Sequence, residues 1–332
     1  MNINIYIREV FLFGGNMQDK NPRSLFGIDI NEYTQNVQFN ILATRIDFLY
    51  LRSSGSGSGK FRVDRKFIEF AGKAREFAIP VGAYHFGVPS YDLTDADRQC
   101  DDFISVLQQG FGNKDYGDLF PVIDIETPTD NSISTATLVN WIDRFRKRFE
   151  RKTRRTLMLY TGSFFISLYN NFYVPGKGYP LKTMPLWIAM YTKIKGNPPF
   201  PEDQGGWKKW RIWQFSEDLK VQGVGNPVDG NWGPNNIELL MQPSVITGLK
   251  AVQEKEGILV TWNKVPDVDL LGYNIFVDNN WVGTVDENDT KFVIPYSKFQ
   301  VPKGRDFTIS IEAFDYDGEV SKRRTKVVLT KK

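Results

Sequence analysis

Hydrophobic residues are spaced in two different ways along this chain. Up to about residue 240 they form short continuous runs, which are typical of strands buried on both faces. Most runs end in polar or aromatic residues, so functional side chains are expected at the strand ends. The runs are FGIDI (26–30), FLYLR (48–52), PVGAYHF (80–86), FPVIDIE (120–126), TLMLYT (156–161), LWIAMY (186–191) and WRIWQF (210–215).

Helical patterns separate these runs. Apolar residues between Val63 and Ala78, and between Leu138 and Phe149, recur at the spacing of one helix face, and Ser134 is predicted to cap the second helix. The alternation of strands and helices to about residue 175 predicts an α/β protein with a parallel sheet, most simply a TIM-like barrel. Helical patterns become sparse after that point, so the barrel is expected to be irregular.

The second spacing begins after QPSVIT at 242–247 and predicts an all-β, immunoglobulin-like sandwich built from short alternating strands. The predicted strands cover 258–262, 272–277, 281–284, 291–294 and 307–314. The predicted domains are an N-terminal extension (1–24), a barrel (25–241), a linker (242–247) and the sandwich (248–332).

Composition narrows the function classes. Aromatic residues make up 14% of the chain, which suits a carbohydrate-binding protein, although any single aromatic side chain can equally fill a core. The formal net charge of +3 fits an anionic cell-wall partner and is too weak to indicate nucleic acid. The densest basic stretch, Arg144–Arg155, overlies a helical pattern and is interpreted as a solvated helix face.

Several classes of site and segment are excluded at this point. A single cysteine, Cys100, cannot form an intrachain disulfide, and a single histidine, His85, cannot build a multi-histidine metal site. No run is long enough to span a membrane. The apolar stretch Ile5–Phe13 is interrupted by Arg8 and Glu9, so no signal peptide is predicted.

The candidate chemistry centres on Asp124 and Glu126. Residues two apart on a strand point to the same side, so both carboxylates project from the end of one apolar strand. Two carboxylates in one cleft can hold one acid protonated beside an ionised partner, as glycosidic bond cleavage requires. An Asp-x-Glu pair could also bind a metal or cap a helix.

Two further carboxylates are candidates for the same site. Asp29 lies near the end of the first predicted strand, and Asp229 lies near the end of the barrel segment. Because the carboxyl ends of barrel strands share one rim, Asp29 is expected to join the Asp124–Glu126 pair. Either residue could instead shape a turn.

Two other features carry less weight. The segment SGSGSGK (54–60) lacks the spacing of a phosphate-binding loop and is interpreted as a flexible loop at the barrel mouth. His85 is interpreted as a packed or hydrogen-bonded rim residue, whereas the hydroxyl of Tyr84 could reach the cleft.

The ordered motifs resemble the family 25 glycoside hydrolases, the Chalaropsis-type lysozymes of phages and bacteria, over roughly residues 25–240. The motifs that carry the resemblance are GIDIN (27–31), VGAYHF (81–86), FPVIDIE (120–126), LYTG (159–162), LWIAMY (186–191), IWQF (212–215) and VDGN (228–231). The resemblance implies a flattened β/α barrel that hydrolyses the β-1,4 bond between N-acetylmuramic acid and N-acetylglucosamine. It also implies that no metal or organic cofactor is needed.

The resemblance also implies roles for individual residues. Glu126 resembles the general acid, and Asp124 resembles a residue that orients the substrate acetamido group or acts more directly in a second step. Asp29 completes the catalytic set, with Asp229 beside it on the floor of the site. The residues that would line the sugar subsites are Tyr84, Tyr160, Trp187, Tyr191, Trp213 and Gln214.

The chain departs from the family pattern in its first loop, where Asn31 replaces a frequent serine and the usual glutamine is displaced to Gln35. The segment WGPNN (232–236) also departs from the family pattern. Residues 244–330 are similar to a fibronectin type III domain, although Phe307 occupies the position of the usual corner tyrosine.

The biological setting has two main readings. The expected partner is the glycan of bacterial peptidoglycan, with other virion or wall components as further partners. The protein would then act on the bacterial wall as a phage endolysin, released from the host cytoplasm at lysis, or as a virion-associated tail lysin. A bacterial autolysin is a third possibility. The rival from another class is a non-catalytic glycan-binding or virion structural protein on the same fold.

Overall fold

The computed structural model describes residues 17–57 and 59–332. Residues 1–16 of the predicted N-terminal extension lie outside the described residues. Met17 is buried, and Gln18 exchanges hydrogen bonds of 2.7 and 2.9 Å with Trp210, so the described end of that segment packs against the barrel. The domain boundaries stay predictions.

Eight strands close into a barrel, and seven of them coincide with the predicted apolar runs, whereas the eighth, β9, follows no such run. A ninth, β3 (Arg62–Val63), extends the sheet as a short partner of β2. Neighbouring barrel strands run parallel, except that β9 is antiparallel to both β8 and β1. The barrel strands are β1 (Phe26–Ile30), β2 (Phe48–Gly55), β4 (Val81–Phe86), β5 (Val122–Asp124), β6 (Met158–Gly162), β7 (Leu186–Ala189), β8 (Ile212–Leu219) and β9 (Val228–Trp232).

Helices cover only part of the barrel. Within the described ranges no α-helix follows α5, which confirms the predicted irregularity. Ser134 caps α4 as predicted, since its hydroxyl accepts a 3.1 Å hydrogen bond from the Thr137 amide. The helices are α1 (Phe39–Leu42), α2 (Phe67–Glu76), α3 (Leu93–Phe111), α4 (Thr135–Thr153) and α5 (Ser163–Leu168).

The barrel core has two layers because side chains alternate across each strand. Inward-facing residues such as Phe48, Tyr50 and Ile212 fill the barrel itself. Outward-facing residues pack against the helices, and His85 belongs to this outer layer, where it is buried between Ser54 and Gln99. His85 therefore does not face the barrel interior.

The C-terminal part is an all-β sandwich with its own core, as predicted. The rings of Trp262 and Tyr273 meet edge to face in that core, and Phe307 is buried with them. Strands β10 and β16 were not predicted. The three-stranded sheet holds β10 (Lys250–Gln253), β11 (Gly257–Thr261) and β14 (Lys291–Pro295), and the four-stranded sheet holds β12 (Leu270–Val277), β13 (Asn280–Asp286), β15 (Asp306–Asp315) and β16 (Thr325–Thr330).

The sandwich docks at the amino-terminal end of the barrel strands. Arg155, just before β6, donates a 2.9 Å hydrogen bond to Glu319 of the sandwich and further bonds to the carbonyls of Gly117 and Leu119. Both Arg155 and Glu319 are buried, so the predicted solvated face of the basic stretch is wrong at its last residue. This interface lies at the opposite end of the barrel from the carboxyl-terminal strand ends. No helix among the described residues is long and apolar enough to cross a membrane.

Candidate active site

A pocket opens at the carboxyl-terminal end of the barrel. Each lining residue continues an inward-facing row of a strand, because alternate residues share a face. β9 contributes from its amino end, since it runs antiparallel and pairs Asp229 with Asp29. The lining residues are Asp29, Asn31, Arg52, Tyr84, Phe86, Asp124, Glu126, Tyr160, Trp187, Gln214 and Asp229.

Asp29 is the most completely hydrogen-bonded carboxylate of the pocket. Its Oδ2 accepts hydrogen bonds from the Gln214 side-chain amide (3.0 Å) and the Asn231 side-chain amide (2.8 Å). Burial raises the pKa of Asp29, and these two N–H donors oppose that rise because they favour the charged form. Asp29 is thereby held in one orientation by rigid strand residues.

Aromatic donors fix the two amides that hold Asp29. The hydroxyls of Tyr160 and Tyr191 each donate a 2.9 Å hydrogen bond to Gln214 Oε1, which turns the Gln214 N–H group toward Asp29. Trp187 Nε1 donates a 2.9 Å bond to Asn231 Oδ1 with the same effect on Asn231. The aromatic side chains therefore position the carboxylate as well as lining the pocket.

Asp229 is the proton-bearing partner of Asp29. Burial, followed by the negative charge of Asp29 and a hydrogen bond between the two side chains, raises the pKa of Asp229 to about 9. Two carboxyl groups this close cannot both ionise easily. At neutral pH Asp229 therefore donates a proton in a hydrogen bond to Asp29.

Asp124 is buried at the end of β5 and carries an unsatisfied oxygen. Its Oδ1 makes no hydrogen bond to any residue in the described part of the chain, although it is shielded from solvent. Burial, followed by the charges of Glu126 and Asp29, raises the pKa of Asp124 well above its usual range. A buried acceptor without a donor is costly, so this oxygen is suited to receive a donor from a ligand in the pocket.

Glu126 follows Asp124 on the same inward row and is more exposed at the pocket mouth. The walls of the pocket withdraw water from its carboxyl group, and this desolvation, with the nearby charge of Asp29, raises the pKa of Glu126. A carboxyl group whose pKa is raised and that can reach a ligand is suited to general acid catalysis.

Most of the predicted subsite residues meet in this pocket, but Trp213 does not. Trp213 lies between the inward-facing Ile212 and Gln214, so its indole points outward, where Nε1 donates to the Met190 carbonyl (2.8 Å). The prediction that Trp213 lines the pocket is wrong for this reason. Tyr191 is absent from the lining and reaches the site through its hydrogen bond to Gln214.

Two functional residues were missed by the sequence-based predictions. Arg52 lines the pocket, but it was interpreted only as the end of an apolar strand. Its spacing from Phe48 and Tyr50 on β2 places all three on one face, and this signal could have revealed it. Asn231 lies within the VDGN motif, and its role as a donor to Asp29 follows only from the pairing of β9 with β1.

The protonated state of Asp229 leads to a prediction about stability. The pKa of Asp229 in the folded protein is about 9, whereas the ordinary value is 3.8, so folding retains a proton that the unfolded chain releases. The contribution of Asp229 to the stability of the wild type should therefore fall as pH rises from about 4 to about 9. Asp229→Asn removes this loss and keeps a hydrogen-bond donor to Asp29.

We expect the melting temperature of Asp229→Asn, relative to wild type, to increase steadily between pH 4 and pH 9. A gain of about 1 kcal/mol would raise it by about 2–4 °C. Thermal unfolding across this pH range measures the effect. Glu202→Gln, a change of an exposed carboxyl group outside the pocket lining, controls for the loss of one negative charge. A constant difference at all pH values would contradict the assignment of the proton to Asp229.

Comparison with known proteins agrees with this geometry. Residues 28–224, more than half of the chain, match the model of glycosyl hydrolases family 25. The crystal structure of the Clostridium perfringens spore cortex lytic enzyme SleM superposes with a TM-score of 0.92 at 59% sequence identity, covering 94% of this chain and all of that one.

Curated relatives extend the comparison. Lysozyme M1 of Streptomyces globisporus is 27% identical over 210 residues, which are 62% of this chain and 66% of that enzyme, slightly under two thirds of its length. The N,O-diacetylmuramidase of Arthroderma benhamiae is 28% identical over 64% of this chain and 85% of its own. With the closed barrel and its carboxylate-lined pocket, the family match means that this chain belongs to the glycosyl hydrolases of family 25.

Proposed function

We propose that this glycoside hydrolase is an N-acetylmuramidase, which cleaves the β-1,4 bond between N-acetylmuramic acid and N-acetylglucosamine in bacterial peptidoglycan. The observation that carries the proposal is the pair at the end of β5. Glu126 has a raised pKa at the pocket mouth, beside the buried Asp124 with its unsatisfied oxygen. Glu126 can give a proton to the leaving oxygen, while Asp124 can hold the sugar.

In this proposal Glu126 protonates the glycosidic oxygen as the bond to the leaving sugar breaks. A water molecule completes the hydrolysis: its hydroxyl adds to the anomeric carbon, and its remaining proton restores a carboxyl group of the pocket. Asp124 Oδ1 accepts the N–H of the substrate acetamido group, which supplies the missing donor and aligns that group with the reacting carbon. Asp29, with its bound proton partner Asp229, forms the floor below the cleaved bond. Tyr84 and Tyr160 pack against the sugar rings.

We propose the spore cortex as the setting. The support is the 59% identity to SleM, whose structure is described as that of a spore cortex lytic enzyme, together with coverage of that whole chain. The expectation of a phage endolysin or tail lysin has no comparable support among the relatives named above. A bacterial enzyme acting on its own species' wall polymer replaces it as the leading hypothesis.

Product analysis tests the proposed activity. Purified spore cortex peptidoglycan and vegetative peptidoglycan are digested with wild type and with Glu126→Gln, and the new reducing ends are identified by reduction and mass spectrometry. We expect reducing-end N-acetylmuramic acid from wild type only, with faster release from cortex. Reducing-end N-acetylglucosamine would exclude a muramidase, and equal or faster digestion of vegetative walls would argue against the cortex setting.

The same digestion addresses the non-catalytic alternative. A glycan-binding or structural protein on this fold would sediment with peptidoglycan and release no reducing ends. The retention of Asp29, Asp124 and Glu126 in one pocket favours the enzyme, because a binding protein would gain nothing from three mutually repelling acids.

A further inference from the structure

Arg52 is the only cationic side chain that lines the pocket among the described residues. It lies on the inward face of β2, above Phe48 and Tyr50, where the barrel interior opens into the site. The mechanism proposed above makes no use of it. The positive charge of Arg52 partly balances the four acids of the pocket, but the position of its guanidinium indicates a more specific role.

Buried acids hold the Arg52 guanidinium in one place. Its Nε donates a 3.1 Å hydrogen bond to Asp64, and Nη2 lies 3.5 Å from Glu32. The side chains of both acids are almost completely buried, and the ring of Tyr33 stacks 5.3 Å from the guanidinium carbon. Glu32 is itself anchored by Arg62 and Arg65. The guanidinium is therefore pre-organised before any ligand arrives.

The end of the guanidinium remains available. Nη1 makes no hydrogen bond to any residue in ranges 17–57 and 59–332, and the contact of Nη2 with Glu32 is long. Planar guanidinium groups favour carboxylate or carbonyl oxygens, which can accept two parallel N–H bonds. Sugar hydroxyls and ring oxygens match this arrangement less well.

The proposed substrate offers one such group beyond its acetamides. N-acetylmuramic acid differs from N-acetylglucosamine by a lactyl ether on O3, which ends in a carboxylate or in the carbonyl of an amide. We propose that Arg52 is a specificity-determining residue that binds the oxygen of this lactyl group. The inference rests on the proposed function and identifies how the pocket would distinguish the two sugars.

Binding measurements in the Glu126→Gln background test this directly, because the reduced turnover of that variant leaves the ligands intact for longer. The probes are the disaccharide of N-acetylglucosamine linked to N-acetylmuramic acid and the matching disaccharide of two N-acetylglucosamine units, titrated by NMR. Arg52→Gln should weaken binding of the muramic ligand by about 10- to 100-fold, as expected for loss of a charge-assisted hydrogen bond. It should change binding of the other ligand less than about twofold, which follows if its hydroxyls do not use the guanidinium.

Two further variants separate geometry from charge. Arg52→Lys keeps the charge but loses the planar fork, so it should recover only part of the preference for the muramic ligand. Arg98→Gln changes an exposed arginine that pairs with Asp92 away from the pocket lining, so this variant should bind both ligands like the parent. Thermal unfolding of each variant checks that the fold is intact.

Equal weakening for both disaccharides would overturn the proposal, since Arg52 would then act on the pocket as a whole. Unchanged binding, or no preference for the muramic ligand in the parent, would overturn it too. These results are distinct from failure of the proposed function, which would be seen as absent or different reducing ends in wild-type digests.

Discussion

Glu126→Gln should reduce turnover of peptidoglycan by about 10²- to 10⁴-fold, the range found when a general acid is removed. The amide has nearly the shape of the carboxyl group but cannot give its proton to the glycosidic oxygen. Folding should be unaffected, because Glu126 makes no hydrogen bond within the described residues and lies exposed at the pocket mouth. Release of reducing ends and thermal unfolding, measured side by side, check both expectations.

The leaving group provides the sharper test of this role. In an aryl glycoside with an acidic phenol, the phenolate can leave without being protonated. Glu126→Gln should therefore be much less impaired on that substrate than on peptidoglycan. Glu217→Gln, an exposed carboxyl change near the same rim, should match wild type on both. If the Glu126→Gln variant loses the same factor on both substrates, Glu126 does not act as the acid.

Much of the active site could be predicted because its residues obey simple strand rules. Asp29, Asp124 and Glu126 end apolar runs, and carboxyl ends of parallel strands share one rim. The same rule of alternation explains the error at Trp213. Neighbours on a strand face opposite sides, so Trp213 and Gln214 could not both line one pocket.

Other parts of the active site could not be predicted, because they depend on pairing between distant segments of the chain. β9 contains VDGNW, which has no apolar run, and only its register with β1 brings Asp229 to Asp29 and Asn231 to the same carboxylate. The roles of these residues follow from a contact between the two ends of the barrel segment. Local spacing carries no information about that contact.

Arg155 shows most clearly that the local sequence does not predict long-range contacts. Within the basic stretch it reads as one more solvated charge, but a partner 164 residues later buries it. The pair seals the amino-terminal end of the barrel, far from the pocket. No described residue of the sandwich lines the pocket, so we expect the sandwich to affect the stability of the barrel and not the substrate site.

Breaking that buried pair should be the most destabilising single change in the interface. Glu319→Gln leaves Arg155 buried without its counter-charge, and removal of one partner of a buried ion pair typically costs about 3–5 kcal/mol. The expected fall in melting temperature is roughly 10 °C, at about 2–4 °C per kcal/mol. Activity per folded molecule should be unchanged at low temperature, because the pocket lies at the other end of the barrel.

A double-mutant cycle isolates the pair from general damage to the interface. Arg155→Met combined with Glu319→Leu removes both buried charges, so it should be clearly more stable than either single variant. Arg154→Gln is the matched control. Arg154 is half exposed and shares Glu312 with Arg324, so its loss should cost less than about 1 kcal/mol. Additive losses in the double variant, or a Glu319→Gln variant as stable as wild type, would show that the Arg155–Glu319 pair does not hold the sandwich to the barrel.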